Sequence, residues 1–76
     1  MPRYFFHVRE NDTVFEDKHG LVFDDISAAC AWAVQDARML VAQGAVGQPL
    51  AEHWIEIGDE KGDTVATFSF ARAVLN

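Results

Sequence analysis

A single amphipathic helix sets the main constraint on how this chain can fold. From Ile26 to Val41 the apolar residues recur at intervals of three and four, which places them on one side of a helix. Asp24 or Asp25 can cap the first turn, and Gly44 can end the helix. Because such a helix must bury its apolar stripe against another element, the rest of the chain is expected to supply a sheet.

Segments of aromatic and β-branched residues on both sides of the helix predict that sheet. The predicted strands are, in chain order, residues 4–8, 13–16, 21–23, 53–57 and 64–70. Whether residues 21–23 pair as a strand stays open, and residues 71–76 are expected to form a last helical turn or a loose tail. The prediction is one α+β domain over residues 1–76, of order ββ(β)αββ. An antiparallel sheet of three to five strands carries one helix on one face.

Strand alternation assigns residues to the two faces of this sheet. The face toward the helix is predicted to hold Tyr4, Phe6, Val8, Ile55, Ile57, Phe68 and Phe70. The helix is predicted to cover them with Ile26, Cys30, Ala33, Ala37, Leu40 and Val41. The opposite, outer face is predicted to carry Phe5, His7, Trp54, Glu56, Thr67 and Ser69. With one helix in the chain, that outer face is expected to lack a cover.

Size and charge narrow the classes of function. The chain has 76 residues and a formal net charge of −6, which argues against binding to nucleic acid or to anionic membranes. A domain this small buries only about 60% of its unfolded surface. Cys30 is the only cysteine, so an internal disulfide cannot compensate, and self-association is expected instead. A lone thiol and the lack of a signal sequence favour the cytoplasm.

Two surfaces are predicted to be incomplete in a monomer. The first is the outer sheet face, with Phe5, His7, Trp54 and Glu56. The second is one side of the helix, where Trp32 and Met39 project together because they lie seven residues apart. Large aromatic residues and methionine are enriched at protein interfaces, so these side chains are candidate contacts of a homodimer or of another partner. The alternative is that Trp32 and Trp54 are half-buried at the edge of the core.

Catalytic candidates are few. Pro2 becomes a secondary amine base if Met1 is removed, as in the small tautomerases, whose opening this chain resembles. His7 and Glu56 are predicted neighbours on the outer face and offer a site at a subunit interface. His19 and His53 are expected to be exposed, and the histidines are too widely spaced to predict a metal site. No catalytic residue, metal or cofactor is therefore predicted.

Several motifs together resemble one family. They are the opening Pro2-Arg3-Tyr4-Phe5-Phe6-His7-Val8, the Asp17-x-x-Gly20 turn, Ser27-Ala28-Ala29 in the helix, and Ile55-Glu56-Ile57 followed by Asp59-x-x-Gly62. This pattern is similar to that of a domain-of-unknown-function family of short alphaproteobacterial proteins. The resemblance implies a stand-alone cytoplasmic domain and supplies no catalytic residues. Trp32 and Trp54 are not part of the pattern.

A looser resemblance is to HicB-type antitoxin domains, which share the order of strand, hairpin, short strand and helix. In this chain Phe23-Asp24-Asp25-Ile26 stands where those domains have a Pro-Gly signature. The resemblance implies an acidic module that masks a basic partner, which agrees with the net charge of −6. The leading prediction is a non-catalytic interaction or regulatory domain that self-associates. The alternatives are the antitoxin-like module and the small enzyme.

Overall fold

A computed structural model describes residues 1–75 of the chain. Its strands are β1 (Arg3–Glu10), β2 (Thr13–Phe15), β3 (Leu21–Val22), β4 (His53–Gly58) and β5 (Thr64–Ser69). Its helices are α1 (Ile26–Ala42) and the short α2 (Phe70–Val74), and a 3-10 turn covers Leu50–Glu52. The α+β class and the predicted order of elements are confirmed, including the third strand.

The sheet is antiparallel and has five strands. The strand order is β2-β1-β4-β5, and β3 pairs with the start of β1. Consequently β1 has β4 along one edge, while β2 and β3 share the other edge one after the other. The sheet therefore has a break between β2 and β3, and the segment that bridges it is the first predicted motif, Asp17-x-x-Gly20.

Local signals determine where α1 begins and ends. The Asp25 carboxylate accepts a hydrogen bond from the Ala28 backbone N–H at 2.9 Å, which satisfies one of the free donors of the first turn. At the other end Gly44 has φ of +72°, the left-handed conformation that glycine adopts most easily. Both boundaries lie close to the prediction.

Small side chains at the centre of α1 let the helix lie close to the sheet. Ala29, Ala33 and Ala37 are fully buried, whereas Cys30 is only half-buried. The predicted stripe omitted Ala29 and is therefore displaced slightly around the helix. The buried alanines contact a core that also contains Tyr4, Ile55, Ile57, Phe70 and Ala73.

The end of the chain differs from the prediction. Phe70 was expected to close the last strand, but it begins α2 and is completely buried. The Ser69 hydroxyl caps this helix by accepting a hydrogen bond from the Arg72 N–H at 3.1 Å. Arg38 of α1 donates to the Ala73 carbonyl at 2.7 Å, which ties the two helices together. The chain thus has a second short helix, and of the predicted tail only Asn76 lies outside the described residues.

The prediction that His53 is exposed is wrong, since this residue is only 5% exposed. Its Nδ1 lies 2.9 Å from the Pro49 carbonyl oxygen, and its Nε2 lies 3.3 Å from a carboxylate oxygen of Glu10. The loop before β4 folds over the imidazole, an arrangement that depends on tertiary packing. None of the helices in residues 1–75 is long and apolar enough to span a membrane.

Candidate functional site

The outer sheet face brings together the side chains predicted for it. Phe5, His7, Trp54 and Glu56 are all half-buried on the two central strands. His7 lies directly opposite Glu56, and Arg9 lies opposite Trp54. The predicted neighbourhood of His7 and Glu56 is therefore correct.

His7 and Glu56 nevertheless make separate structural contacts. The His7 Nδ1 accepts a hydrogen bond from the Asp17 backbone N–H at 3.1 Å. Glu56 forms an ion pair with Arg9, whose Nε lies 3.2 Å from a Glu56 carboxylate oxygen. Since the lone pair on Nδ1 is already used, His7 offers no free base on that side of the ring. The arrangement is typical of a solvated polar face and does not resemble an acid–base pair.

The Asp17 carboxylate bridges the break between β2 and β3 by accepting hydrogen bonds from backbone N–H groups. One carboxylate oxygen accepts from the Phe6 N–H at 3.1 Å, and the other accepts from the N–H groups of His19 and Gly20, each at 3.0 Å. The carboxylate thus takes the place that a neighbouring strand would occupy beside Phe6. Burial opposes ionisation of Asp17, but the backbone N–H groups of Gly20, Phe6 and His19 outweigh it and lower the pKa of the carboxyl.

The turn that begins at Asp17 requires glycine at position 20, because there is no room for a Cβ there. Gly20 has φ of +68°, and a Cβ at this position would lie 2.6 Å from the Tyr4 carbonyl oxygen. The second motif is also a turn, in which one Asp59 carboxylate oxygen accepts from the N–H groups of Lys61 and Asp63 at 2.9 and 3.0 Å. The aspartates of both Asp-x-x-Gly motifs therefore stabilise turns of the fold through hydrogen bonds to backbone N–H groups.

Trp32 packs at the edge of the core and is also partly exposed, so both interpretations of this residue hold in part. Its ring lies against Phe6 at a centroid distance of 4.9 Å and against Phe23 at 6.0 Å, so it closes the edge of the core. It is also 37% exposed, and Met39 on the same side of α1 is 58% exposed. The predicted pairing of these two side chains on one helix surface is consistent with this geometry.

Phe15 and Asp36 also lie on this surface, and neither was predicted from the sequence. Phe15 of β2 pairs with Val8, whose side chain faces the helix, so the Phe15 ring also projects toward α1. It is 55% exposed. Asp36 lies on α1 between Trp32 and Met39, and it is half-buried. Phe15, Trp32, Asp36 and Met39 are called the open flank from here on.

A small cleft of about 240 Å³ adjoins the open flank. Its lining is apolar apart from the Glu10 side chain, and the fully buried Phe70 also contributes to it. The apolar lining residues are Val8, Phe15, Leu40, Ala45, Val46 and Phe70. This flank cleft is open to solvent.

Asp36 is the one acidic group of the open flank. Burial raises the pKa of its carboxyl above the ordinary value, because desolvation disfavours the charged form. No ion pair or side-chain hydrogen bond to Asp36 is found within residues 1–75. The sequence does carry a signal for this position, because Asp36 is a charged residue placed between Ala33 and Ala37, which are both buried.

Pro2 lies at another place, in a cleft of about 460 Å³ beside Arg3, Tyr4 and Lys61. The Pro2 carbonyl accepts a hydrogen bond from the Phe23 N–H at 3.1 Å. Asp59 and Glu60 also line this cleft, so its charge is mixed. Within residues 1–75 no group of three or more His, Cys, Asp or Glu side chains is arranged to hold a metal ion.

Comparisons with known proteins bear on the motifs described above. Neither the curated proteins nor the solved structures gave a match. A family model, described as a domain of unknown function (DUF6894), matches residues 3–71. This range contains both Asp-x-x-Gly turns, all five strands and α1. The chain therefore belongs to the DUF6894 family of domains of unknown function.

Proposed function

We propose that this chain is a non-catalytic interaction domain that binds a protein partner through the open flank. The observation that carries the proposal is the exposure of three large apolar side chains, Phe15, Trp32 and Met39, beside an apolar cleft. Apolar groups concentrated on one surface favour association, because binding removes them from water. Localisation to the cytoplasm is part of the proposal, since Cys30 is a free thiol.

The outer sheet face is the weaker candidate for this partner. Its centre holds the Arg9–Glu56 ion pair and the hydrogen-bonded His7, and charged groups are depleted at the core of interfaces. Its apolar part lies at one side, where Trp54 and Leu75 line a cleft between β5 and α2. Leu75 is 79% exposed. We propose this Trp54–Leu75 patch as the contact through which the domain forms a homodimer.

Affinity purification from the native cells tests the interaction function. The tagged wild type is compared with Met39→Ser, which removes an exposed apolar side chain of the open flank. Val65→Ser is the matched control, because Val65 is 43% exposed and lies on β5, away from the flank. We expect a stoichiometric partner to be retained by the wild type and the control and lost by Met39→Ser. Equal recovery with all three proteins would contradict the proposal.

A Pro2-dependent enzyme is the second candidate. The observation in its favour is that Pro2 lines a cleft together with Arg3 and Lys61, two cations that can hold an anionic substrate. The test is the mass of the protein isolated from its native cells. Loss of Met1 would expose the Pro2 amine and support this candidate, whereas retention of Met1 would contradict it.

A further inference from the structure

We infer that the partner bound at the open flank is a basic amphipathic segment. One of its apolar side chains enters the flank cleft, and a neighbouring arginine or lysine pairs with Asp36. This inference rests on the proposed interaction function and specifies the chemistry of the partner.

The size of the flank cleft favours a single side chain over a small-molecule ligand. Its volume of about 240 Å³ is below the range of about 300–1,000 Å³ that is usual for ligand pockets. The flank cleft is open to solvent, and its lining includes Phe70, which is completely buried in the core. A leucine, methionine or phenylalanine from a partner would fill it in the way that anchor residues fill interface pockets.

Asp36 specifies the charge of the partner. It lies one helical turn after Trp32 and one turn before Leu40, so large apolar side chains stand on both sides of it. A partner that covered this surface with apolar groups alone would bury an unpaired carboxylate, which is costly. A cation placed there forms a charge-assisted hydrogen bond in a partly desolvated site.

Among residues 1–75, no lysine or arginine forms an ion pair with Asp36. Arg38 donates to the Ala73 carbonyl, Arg9 pairs with Glu56, and Arg3 donates to the His19 carbonyl at 2.8 Å. Neither the open flank nor the lining of the flank cleft contains a lysine or an arginine. The positive group that Asp36 lacks must therefore come from the partner.

A second copy of the chain is a poor occupant of this surface. A two-fold interface presents the same patch from both subunits. Asp36 lies midway along α1 between Trp32 and Met39, so pairing the helices antiparallel along the open flank brings the two Asp36 carboxylates together. Like charges at short distance oppose such a dimer. The net charge of −6 likewise disfavours anionic occupants.

A pair of synthetic peptides tests the inference. The first is a fluorescein-labelled helical peptide of about 14 residues with leucines at intervals of three and four and with arginines beside them. The second carries glutamate at every arginine position. Fluorescence anisotropy measures their binding to the wild type, to Asp36→Asn, and to Asp63→Asn. Asp63→Asn is the matched control, because it removes the same charge from the distant β4–β5 hairpin.

We expect the arginine peptide to bind the wild type and Asp63→Asn equally, and to bind Asp36→Asn about tenfold more weakly. The glutamate peptide is expected not to bind. Equal weakening in both variants would show a general charge effect and would overturn the inference. So would binding that Asp36→Asn leaves unchanged, or failure of the arginine peptide to bind the wild type.

The affinity purification separates this inference from the function on which it rests. If Met39→Ser abolishes recovery of a partner but the arginine peptide does not bind, the interaction function stands and the basic occupant is wrong. If the partner that Met39→Ser loses is a second copy of the chain, the basic occupant is also wrong. If Met39→Ser has no effect on recovery, the interaction function itself fails.

Discussion

Replacing Asp17 with alanine removes the side chain that bridges the break between β2 and β3. The carboxylate accepts hydrogen bonds from three backbone N–H groups, those of Phe6, His19 and Gly20. Without it, the Phe6 N–H loses its partner at the centre of β1, and the turn that leads to β3 loses two contacts. We therefore expect both the edge of the sheet and the short strand β3 to be destabilised.

The hydrogen bonds set the magnitude of this effect. A net contribution of about 1 kcal/mol for each bond gives an expected loss of about 3 kcal/mol for Asp17→Ala. Asp17 is half-buried, so water can replace part of the loss, and the lower limit is about 1.5 kcal/mol. Since a domain of this size has a free energy of unfolding of only about 5 kcal/mol, the effect is large.

Urea unfolding followed by circular dichroism measures the effect. Asp12→Ala is the control, since Asp12 is exposed in the β1–β2 turn, and we expect a change within about 0.5 kcal/mol. The pKa of the Asp17 carboxyl is lower in the folded protein than its ordinary value of 3.8. The contribution of the Asp17 carboxylate to stability is therefore fully present above pH 3.8, and it is lost as the pH falls through the pKa of the folded state.

The wild type and Asp17→Asn should accordingly differ at about pH 7 and converge as the pH falls through the lowered pKa of Asp17. Two results would refute the reasoning. One is a loss for Asp17→Ala no greater than that for Asp12→Ala. The other is a difference between the wild type and Asp17→Asn that does not change with pH.

Four further predictions concern Gly20, Asp36 and Trp54. Gly20→Ala should lower the free energy of unfolding by about 3 kcal/mol, as measured by urea unfolding. Gly44 has a similar φ but open space around it, so Gly44→Ala should lower that free energy by only about 1 kcal/mol. Asp36→Leu should stabilise the fold by about 0.5–1 kcal/mol; a loss would contradict this. In the wild type, stability should fall as the pH rises through the raised Asp36 pKa, and Asp36→Asn should lack that fall. Trp54→Ala should weaken self-association, measured by sedimentation equilibrium, more than it weakens folding; a loss of stability with unchanged assembly would count against the homodimer contact.

The predictable parts of the fold were those with local signals. The boundaries of α1 follow from a capping aspartate and a terminal glycine, and β1 follows from alternating aromatic residues. The end of β5 was misjudged because the alternation of Ala66, Phe68 and Phe70 continues into α2. The serine at position 69, a good helix cap, was the signal that would have corrected it.

The open flank was only partly predictable. Trp32 and Met39 emerged from their helical spacing alone, because spacing determines which side chains share a helix surface. Phe15 joins them only through the register of β2 on β1, which pairs it with Val8. The burial of His53 depends on how the preceding loop folds over β4, and no local pattern encodes that contact.

Site-specific photo-cross-linking in the native cells tests the interaction function most directly. A benzophenone amino acid replaces Met39 on the open flank in one protein and Val65 on β5 in another. The interaction function predicts one discrete protein adduct from position 39 and none from position 65. The same adducts from both positions, or adducts from position 65 alone, would contradict it.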